Sequence, residues 1–148
     1  MVRERSRRGP MGKELTTAPE VVSSARVRYA DTDRMGVAYY ANYLVWFEVG
    51  RAEWMRASGS SYRDVEAAGF LLPVIEAHCE YRQPLGYDDE LEIRTRGRLV
   101  TPVRLEFHYQ IVRRADLAVA AVGHTTHAST NAEGRPRRLS APLTRLFT

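Results

Sequence analysis

Two aspartates, Asp31 and Asp33, stand one residue apart, ahead of Gly36 and the run Tyr39-Tyr40-Ala41-Asn42-Tyr43. A short alternating segment precedes the pair, and a long helical pattern follows it. A carboxylate held opposite the N-terminal amides of a helix has two uses against a carbonyl. It attacks the carbon, or it activates a water that does, while orphan N–H groups take up the charge developing on oxygen. That is the skeleton of a hydrolase site for an acyl ester or thioester. The bland alternative is a turn aspartate bonded to its own backbone. Local pattern alone leaves both open.

The elements around the pair can be read from periodicity. Ala25-Arg26-Val27-Arg28-Tyr29 alternates and predicts the first strand. Asp31 to Gly36 predicts a turn. A helix is expected to start between Tyr39 and Asn42, with Asn42 as its cap, and to run to about Ala57 before Gly59. Tyr43, Phe47, Gly50 and Trp54 share one face of it, and so bulky a stripe needs a broad sheet to cover. Gly50 costs about 1 kcal/mol against alanine, which is tolerable where the helix must approach another backbone closely. A second, short helix is predicted over Tyr62 to Ala68, stopping at Gly69.

Beyond residue 70 the pattern is strands: Leu71 to Tyr81, Leu91 to Val100, Leu105 to Val112 and Leu117 to Ser129. Arg94, Arg96 and Arg98 alternate with Ile93, Thr95, Gly97 and Leu99, and Arg104, Glu106, His108 and Gln110 alternate with Leu105, Phe107, Tyr109 and Ile111. Such strands form an antiparallel sheet with one polar face. Strand, long helix, then strands describes an α+β design, a curved sheet wrapped around a central helix. Sheet edges left bare by one chain point to pairing across a two-fold axis.

The chain has 148 residues, 44% of them apolar, and a formal charge of +4 from 22 Lys plus Arg against 18 Asp plus Glu. That fits a single domain over residues 23–148, preceded by a charged, flexible tail over residues 1–22 in which Met11 is an alternative start to Met1. The surplus charge sits at the two ends, suits a polyphosphate ligand, and comes with no nucleic-acid motif. Cys79 is the only cysteine, so a disulfide framework and a thiolate metal cluster are both excluded. No apolar run approaches the ~20 residues needed to span a bilayer. A soluble, cytoplasmic protein is the expectation.

Other chemistries find little support. His124 and His127, three apart on a strand, point to opposite faces and cannot share a metal. No zinc spacing and no Gly-x-Ser-x-Gly elbow is present. Neither metal nor cofactor is expected. Glu48 and Arg51 lie three apart on the helix and read as a surface pair. Tyr39, Tyr43, Trp46, Phe47 and Trp54 read mainly as core, with one or two lining an acyl pocket.

Tyr29 to Tyr43, continuing through Trp46-Phe47-Glu48-Val49-Gly50-Arg51-Ala52-Glu53-Trp54, resembles the hotdog-fold acyl-CoA thioesterases of the 4-hydroxybenzoyl-CoA thioesterase class. The resemblance is greatest to the bacterial branch often encoded beside the Tol-Pal envelope system. That signature is an aspartate, a glycine three residues on, aromatic-x-Asn-Tyr, then a helix of Phe-Glu-x-x-Arg character. Tyr81, Pro84, Leu85, Tyr87, Asp88 and Asp89 resemble its connector, and Arg135 to Leu139 its closing segment.

The resemblance implies hydrolysis of acyl-CoA, with Asp33 as nucleophile or general base and Asp31 as its structural companion. It places the oxyanion-stabilising amide at Tyr40, where many relatives carry histidine; Tyr40 therefore shifts the load onto Asp33. Gly36, Val37, Tyr39, Asn42 and Tyr43 are the expected substrate-binding residues, and Arg104 and Arg138 the candidate contacts to the phosphates of coenzyme A. A homo-oligomer is implied, a dimer at least and a tetramer by family, with no nucleic acid and no membrane insertion. A hydratase or dehydratase of the same fold and a non-catalytic acyl-thioester binder are the alternatives.

Overall fold

Residues 19–148 are described by the computed structural model, and the two-residue periodicity marks out its strands. The order is β1 (Glu20–Arg26), a 3₁₀ turn (Tyr29–Asp31), α1 (Asn42–Ser58), α2 (Tyr62–Ala67), β2 (Val74–Tyr81), β3 (Glu90–Thr101), β4 (Arg104–Arg113), β5 (Ala118–Ala128) and α3 (Ala141–Leu146). All neighbouring strands are antiparallel, in the sheet order β1-β3-β4-β5-β2. The sheet curves around α1, which packs on β1 and β3. This is the expected α+β hotdog fold.

Alternation decides which face is dry. On β3, Leu91, Ile93, Thr95 and Gly97 are buried while the arginines between them are half-buried on the other side. Facing them, α1 buries Tyr43, Trp46, Phe47, Gly50, Trp54 and Met55. Phe47 stacks on Tyr109 with ring centroids 4.2 Å apart. Trp54 meets Phe107 edge-on at 5.4 Å and stacks on Phe147, just past α3, at 5.0 Å. Each aromatic so buried contributes about 1.5–3 kcal/mol.

The close approach expected at Gly50 is real, but it is to side chains: a Cβ there would overlap Thr95 Oγ1 and Ile93 Cγ2. Gly97 and Gly123 do the converse from the sheet, making room for Trp54 and Phe47. The helix ends on Gly59, whose φ of 108° favours glycine. Ser61 and Asp64 then form a reciprocal capping box on α2.

Three expectations need correction. The first strand spans Glu20–Arg26 rather than residues 25–29, so residues 20–22 belong to the sheet and not to a tail. Tyr29 instead opens a 3₁₀ turn, because the Arg28 N–H donates to the Asp31 carboxylate. Asn42 is the first residue of α1 and not its cap; Ala41 holds that position without a side-chain bond. The short α3, with Ser140 as its cap, was not anticipated. The rest of the predicted tail and the choice between Met1 and Met11 lie outside the described residues.

Candidate active site

The turn from Asp31 to Tyr39 is pinned on both sides. Asp31 is 4% exposed, and its carboxylate accepts from the Arg28 N–H at 2.8 Å and from the Arg28 guanidinium at 2.8 Å. Those donors hold its pKa below the usual carboxylate range, against the opposing effect of burial. Its carbonyl oxygen accepts from the Tyr39 N–H and from Asn42 Nδ2, both at 2.8 Å. From the other side, the Ala38 N–H donates to Leu85 O at 2.7 Å. Every polar group of Asp31 is thus committed to shape.

Asp33 is built differently. Its Oδ1 accepts from the Met35 N–H at 2.8 Å, a local turn that Gly36, with φ 82°, completes. That bond orients the carboxylate and leaves Oδ2 without a partner among the described residues. Asp33 lines a cavity of about 340 Å³ together with Val37, Ala38, Tyr40, Tyr43 and Tyr81.

The same cavity touches the start of α1. The Asn42, Tyr43 and Leu44 amides turn back onto the carbonyls of Tyr39, Tyr40 and Ala41, at 2.9, 3.3 and 3.2 Å. The Tyr40 and Ala41 amides have no acceptor among the described residues. Ala41 supplies no capping oxygen to compete for them, and helix ends concentrate partial positive charge. Asp33 and Tyr40, one of the two residues with an amide left over, therefore line one mainly apolar cavity at the start of α1.

Of the predicted site residues, Asp33, Val37, Tyr40 and Tyr43 line this cavity. Gly36 shapes the turn, Asn42 ties it to α1, and the exposed Tyr39 packs its ring against that of Tyr40 at 4.6 Å. Arg104 and Arg138 are not brought to it within one chain. Tyr81 pairs with Ala121 and Arg104 with Ala128, which sets them at opposite ends of β5, about 23 Å apart. The Leu139 N–H donates to Pro102 O, keeping Arg138 at Arg104's end. One arginine, Arg82, does line the cavity.

Tyr81 was missed as a site residue. Its hydroxyl donates to the Tyr40 carbonyl at 2.9 Å, and its ring meets Tyr43 edge-on at 4.8 Å. Burial pushes the phenols of Tyr43 and Tyr81 up to about 12, so both stay neutral. The available signal was the Tyr-x-x-Pro spacing after β2, which fixes where the connector turns under the helix mouth.

The histidines lie elsewhere. His127 is fully buried on the concave face, its Nδ1–H donating to Leu72 O at 2.9 Å and its Nε2 bonded to the Thr125 hydroxyl at 2.8 Å. His78, His124 and His108 form a row across β2, β5 and β4 on the convex face, continued by Arg96 and Glu20. They border a larger cavity of about 390 Å³, but no helix terminus reaches it. No group of three or more His, Cys, Asp or Glu side chains among the described residues is arranged to hold a metal ion. No helix there is long and apolar enough to cross a membrane.

A curved antiparallel sheet wrapped around one long helix, with a cavity at the helix start lined by a carboxylate, defines a hotdog-fold protein of thioesterase type. The chain belongs to the thioesterase-like superfamily, whose profile matches residues 27–145. It is 46% identical over 69 residues to YneP of Bacillus subtilis (strain 168), covering 47% of this chain and 50% of that protein, so the chain spans half the length of that relative. It is 28% identical over 134 residues to the 1,4-dihydroxy-2-naphthoyl-CoA hydrolase of Synechococcus sp. (strain CC9605), covering 86% and 88% of the two chains. Protein TT1821 from Thermus thermophilus superposes with a TM-score of 0.79 at 32% identity, over 87% of this chain and 95% of that one.

Proposed function

We propose that this chain hydrolyses acyl-coenzyme A thioesters to a free carboxylic acid and coenzyme A. The observation that carries this is the cavity lined by both Asp33 and Tyr40 at the start of α1, where the Tyr40 and Ala41 amides have no acceptor among the described residues. The thioester carbonyl docks at those amides, which stabilise the oxyanion. Asp33 Oδ2 then attacks the carbonyl carbon, or takes a proton from a water that attacks it. The C–S bond breaks, the thiolate leaves and is protonated, and in the first route water next opens the mixed anhydride. The neutral phenols of Tyr43 and Tyr81 close the apolar wall.

Membership of the superfamily and the hydrolase named in the Synechococcus relative support this activity. The finer placement, in the 4-hydroxybenzoyl-CoA thioesterase class and its Tol-Pal-associated branch, rests on the signature at Tyr29 to Trp54. Location in the cytoplasm fits the single Cys79. The exposed edge strand β2, with its own Val74 and Ile75 exposed along with Leu44 and Val45 of α1, favours pairing with a second copy, giving a dimer at least and a tetramer by family habit. Arg104 and Arg138 then serve the coenzyme A phosphates only across a subunit seam.

Release of free thiol from a panel of acyl- and aryl-CoA thioesters is the direct test, with Asp33→Asn as its control. Hydrolysis by the native protein, lost in the variant, is expected. Thioester binding with no turnover anywhere in the panel would instead make the chain a binding protein. A hydratase is disfavoured because no histidine lines the Asp33 cavity, and an enoyl-CoA hydration assay should be blank. Light scattering tests the oligomer, and unchanged coenzyme A inhibition in both Arg104→Ala and Arg138→Ala rejects those phosphate contacts.

A further inference from the structure

The peptide between Tyr40 and Ala41 leads into α1, and its two ends have different partners. Its carbonyl, on Tyr40, accepts from the Tyr43 N–H at a long 3.3 Å and from the Tyr81 hydroxyl at 2.9 Å. Its N–H, on Ala41, has no acceptor among the described residues, and neither has the Tyr40 N–H one peptide earlier. A peptide is planar, with C=O and N–H opposed in the trans form, so whatever holds the oxygen also aims the nitrogen. The preceding peptide is held in the same way, by the Asn42 N–H on the Tyr39 carbonyl at 2.9 Å. With both planes fixed, the torsions of Tyr40 are fixed, and with them the direction of its own N–H.

A helix start ordinarily takes its rigidity from a capping side chain that bonds to the first amides. Ala41 provides none. Tyr81 restrains the opening turn at a carbonyl oxygen instead, without engaging the nitrogens. Its own position is set by the sheet: it ends β2, pairs with Ala121, and precedes the Arg82 N–H that donates to Ala120 O at 2.8 Å. The Tyr43 ring, edge-on at 4.8 Å, braces it from the helix. A carbonyl can only accept, so the phenol donates and stays protonated. A bond accepted at the oxygen also polarises the amide and strengthens the N–H at its far end.

We infer that Tyr81 is a positioning residue of the oxyanion site: its hydroxyl, through the Tyr40 carbonyl, sets the aim of the Tyr40 and Ala41 amides. The inference rests on the thioesterase reading of the Asp33 cavity. It adds a strand residue that bears on the transition state through the backbone of α1. The Tyr81 ring lines the cavity, but this role belongs to the hydroxyl alone. Its loss should fall on kcat rather than KM, because the oxyanion exists only in the transition state.

Tyr81→Phe keeps the ring and deletes the donor, at a position 47% exposed where the fold tolerates the change. With benzoyl-CoA as the probe, kcat should fall about three- to tenfold, the worth of one net hydrogen bond, with KM and melting temperature unchanged. The Cys79 thiol is the other polar group at that hydroxyl. Cys79→Ala should leave kcat intact, and a fall matching that of Tyr81→Phe would overturn the inference. A second readout needs no turnover. Benzoyl-CoA isotope-labelled at the thioester carbonyl and bound to Asp33→Asn should show a carbonyl stretch below the free-ligand frequency. Adding Tyr81→Phe should return the band part of the way. An unmoved band rejects the role, as does a melting temperature that falls while kcat holds. A band already at the free-ligand frequency in Asp33→Asn rejects it too, since no donor is then aimed at the carbonyl. A Tyr81-dependent band in a protein without turnover keeps the positioning role and discards the hydrolase. Turnover with neither kcat nor band responsive to Tyr81 does the reverse.

Discussion

The C-terminal half of α1 buries Trp54 and Met55 to 1% exposure or less, carries Gly50 where the sheet comes nearest, and closes on Gly59. The other end starts on Ala41 with no capping side chain and leaves Tyr40 61% exposed. One helix thus packs side chains from Tyr43 to Met55 along its length and keeps its unsatisfied backbone at its first turn. Packing energy scales with excluded water, whereas charge stabilisation of a reacting carbonyl needs donors that the fold has not used. α1 meets the two demands with different groups: side chains packed on the sheet, and backbone amides left over where the helix begins.

The largest effect should come from the packed side chains. Trp54→Ala should cost about 3–5 kcal/mol of stability by opening a cavity against Phe107 and Phe147, read by urea denaturation. A loss under about 1 kcal/mol would contradict the assignment of stability to that packing. At the other end, Asp33→Asn should lower kcat by about 10²–10³-fold, equivalent to roughly 3–4 kcal/mol of barrier. Thermal stability should hold, because the amide oxygen still accepts from Met35. A melting point that drops together with the rate would erase the distinction between the ends.

Acid should act next, through the buried His127 on β5, whose ring meets Phe107 edge-on. Desolvation lowers His127 from 6.5 to about 4, so the unfolded chain binds the proton more readily than the folded one. Stability is complete above pH 6.5, falls as pH drops toward 4, and loses about 2–3 kcal/mol over that window. The stability–pH curve of His127→Gln should be flatter there; an identical curve would remove His127 as the cause. The smallest change, Gly59→Ala, forces a side chain into the left-handed region at the helix end and should cost about 1 kcal/mol, visible as a small shift in melting temperature without change in kcat.

Sheet and helix were legible because they are periodic. Ile93, Thr95 and Gly97 against Arg94, Arg96 and Arg98 announce a half-buried strand whatever surrounds it, and Gly59 and Gly69 stop the two helices as expected. β1 was misplaced because Val21 and Ala25 are weak alternating signals, and because the turn at Tyr29 is imposed by the Arg28–Asp31 bond rather than by any local preference. Asn42 reads as a cap until the Asp31 carbonyl, eleven residues away, is seen to claim its amide. Arg51 was hidden for a similar reason: an i,i+3 pair with Glu48 looks like surface until Tyr62 and Tyr109 close around it and leave 12% of its side chain exposed. Long-range partners decide such residues, and spacing does not report them.

The Tyr81 phenol has a mechanical consequence. It joins the last residue of the outermost strand to the peptide that opens α1, so the rim of the sheet and the entrance to the helix move as one piece. A strand added along that rim would pull on the same oxygen. Specific activity should then depend on protein concentration, falling on dilution as the rim is uncovered, with the peptide at residue 40 loosening before the interior does.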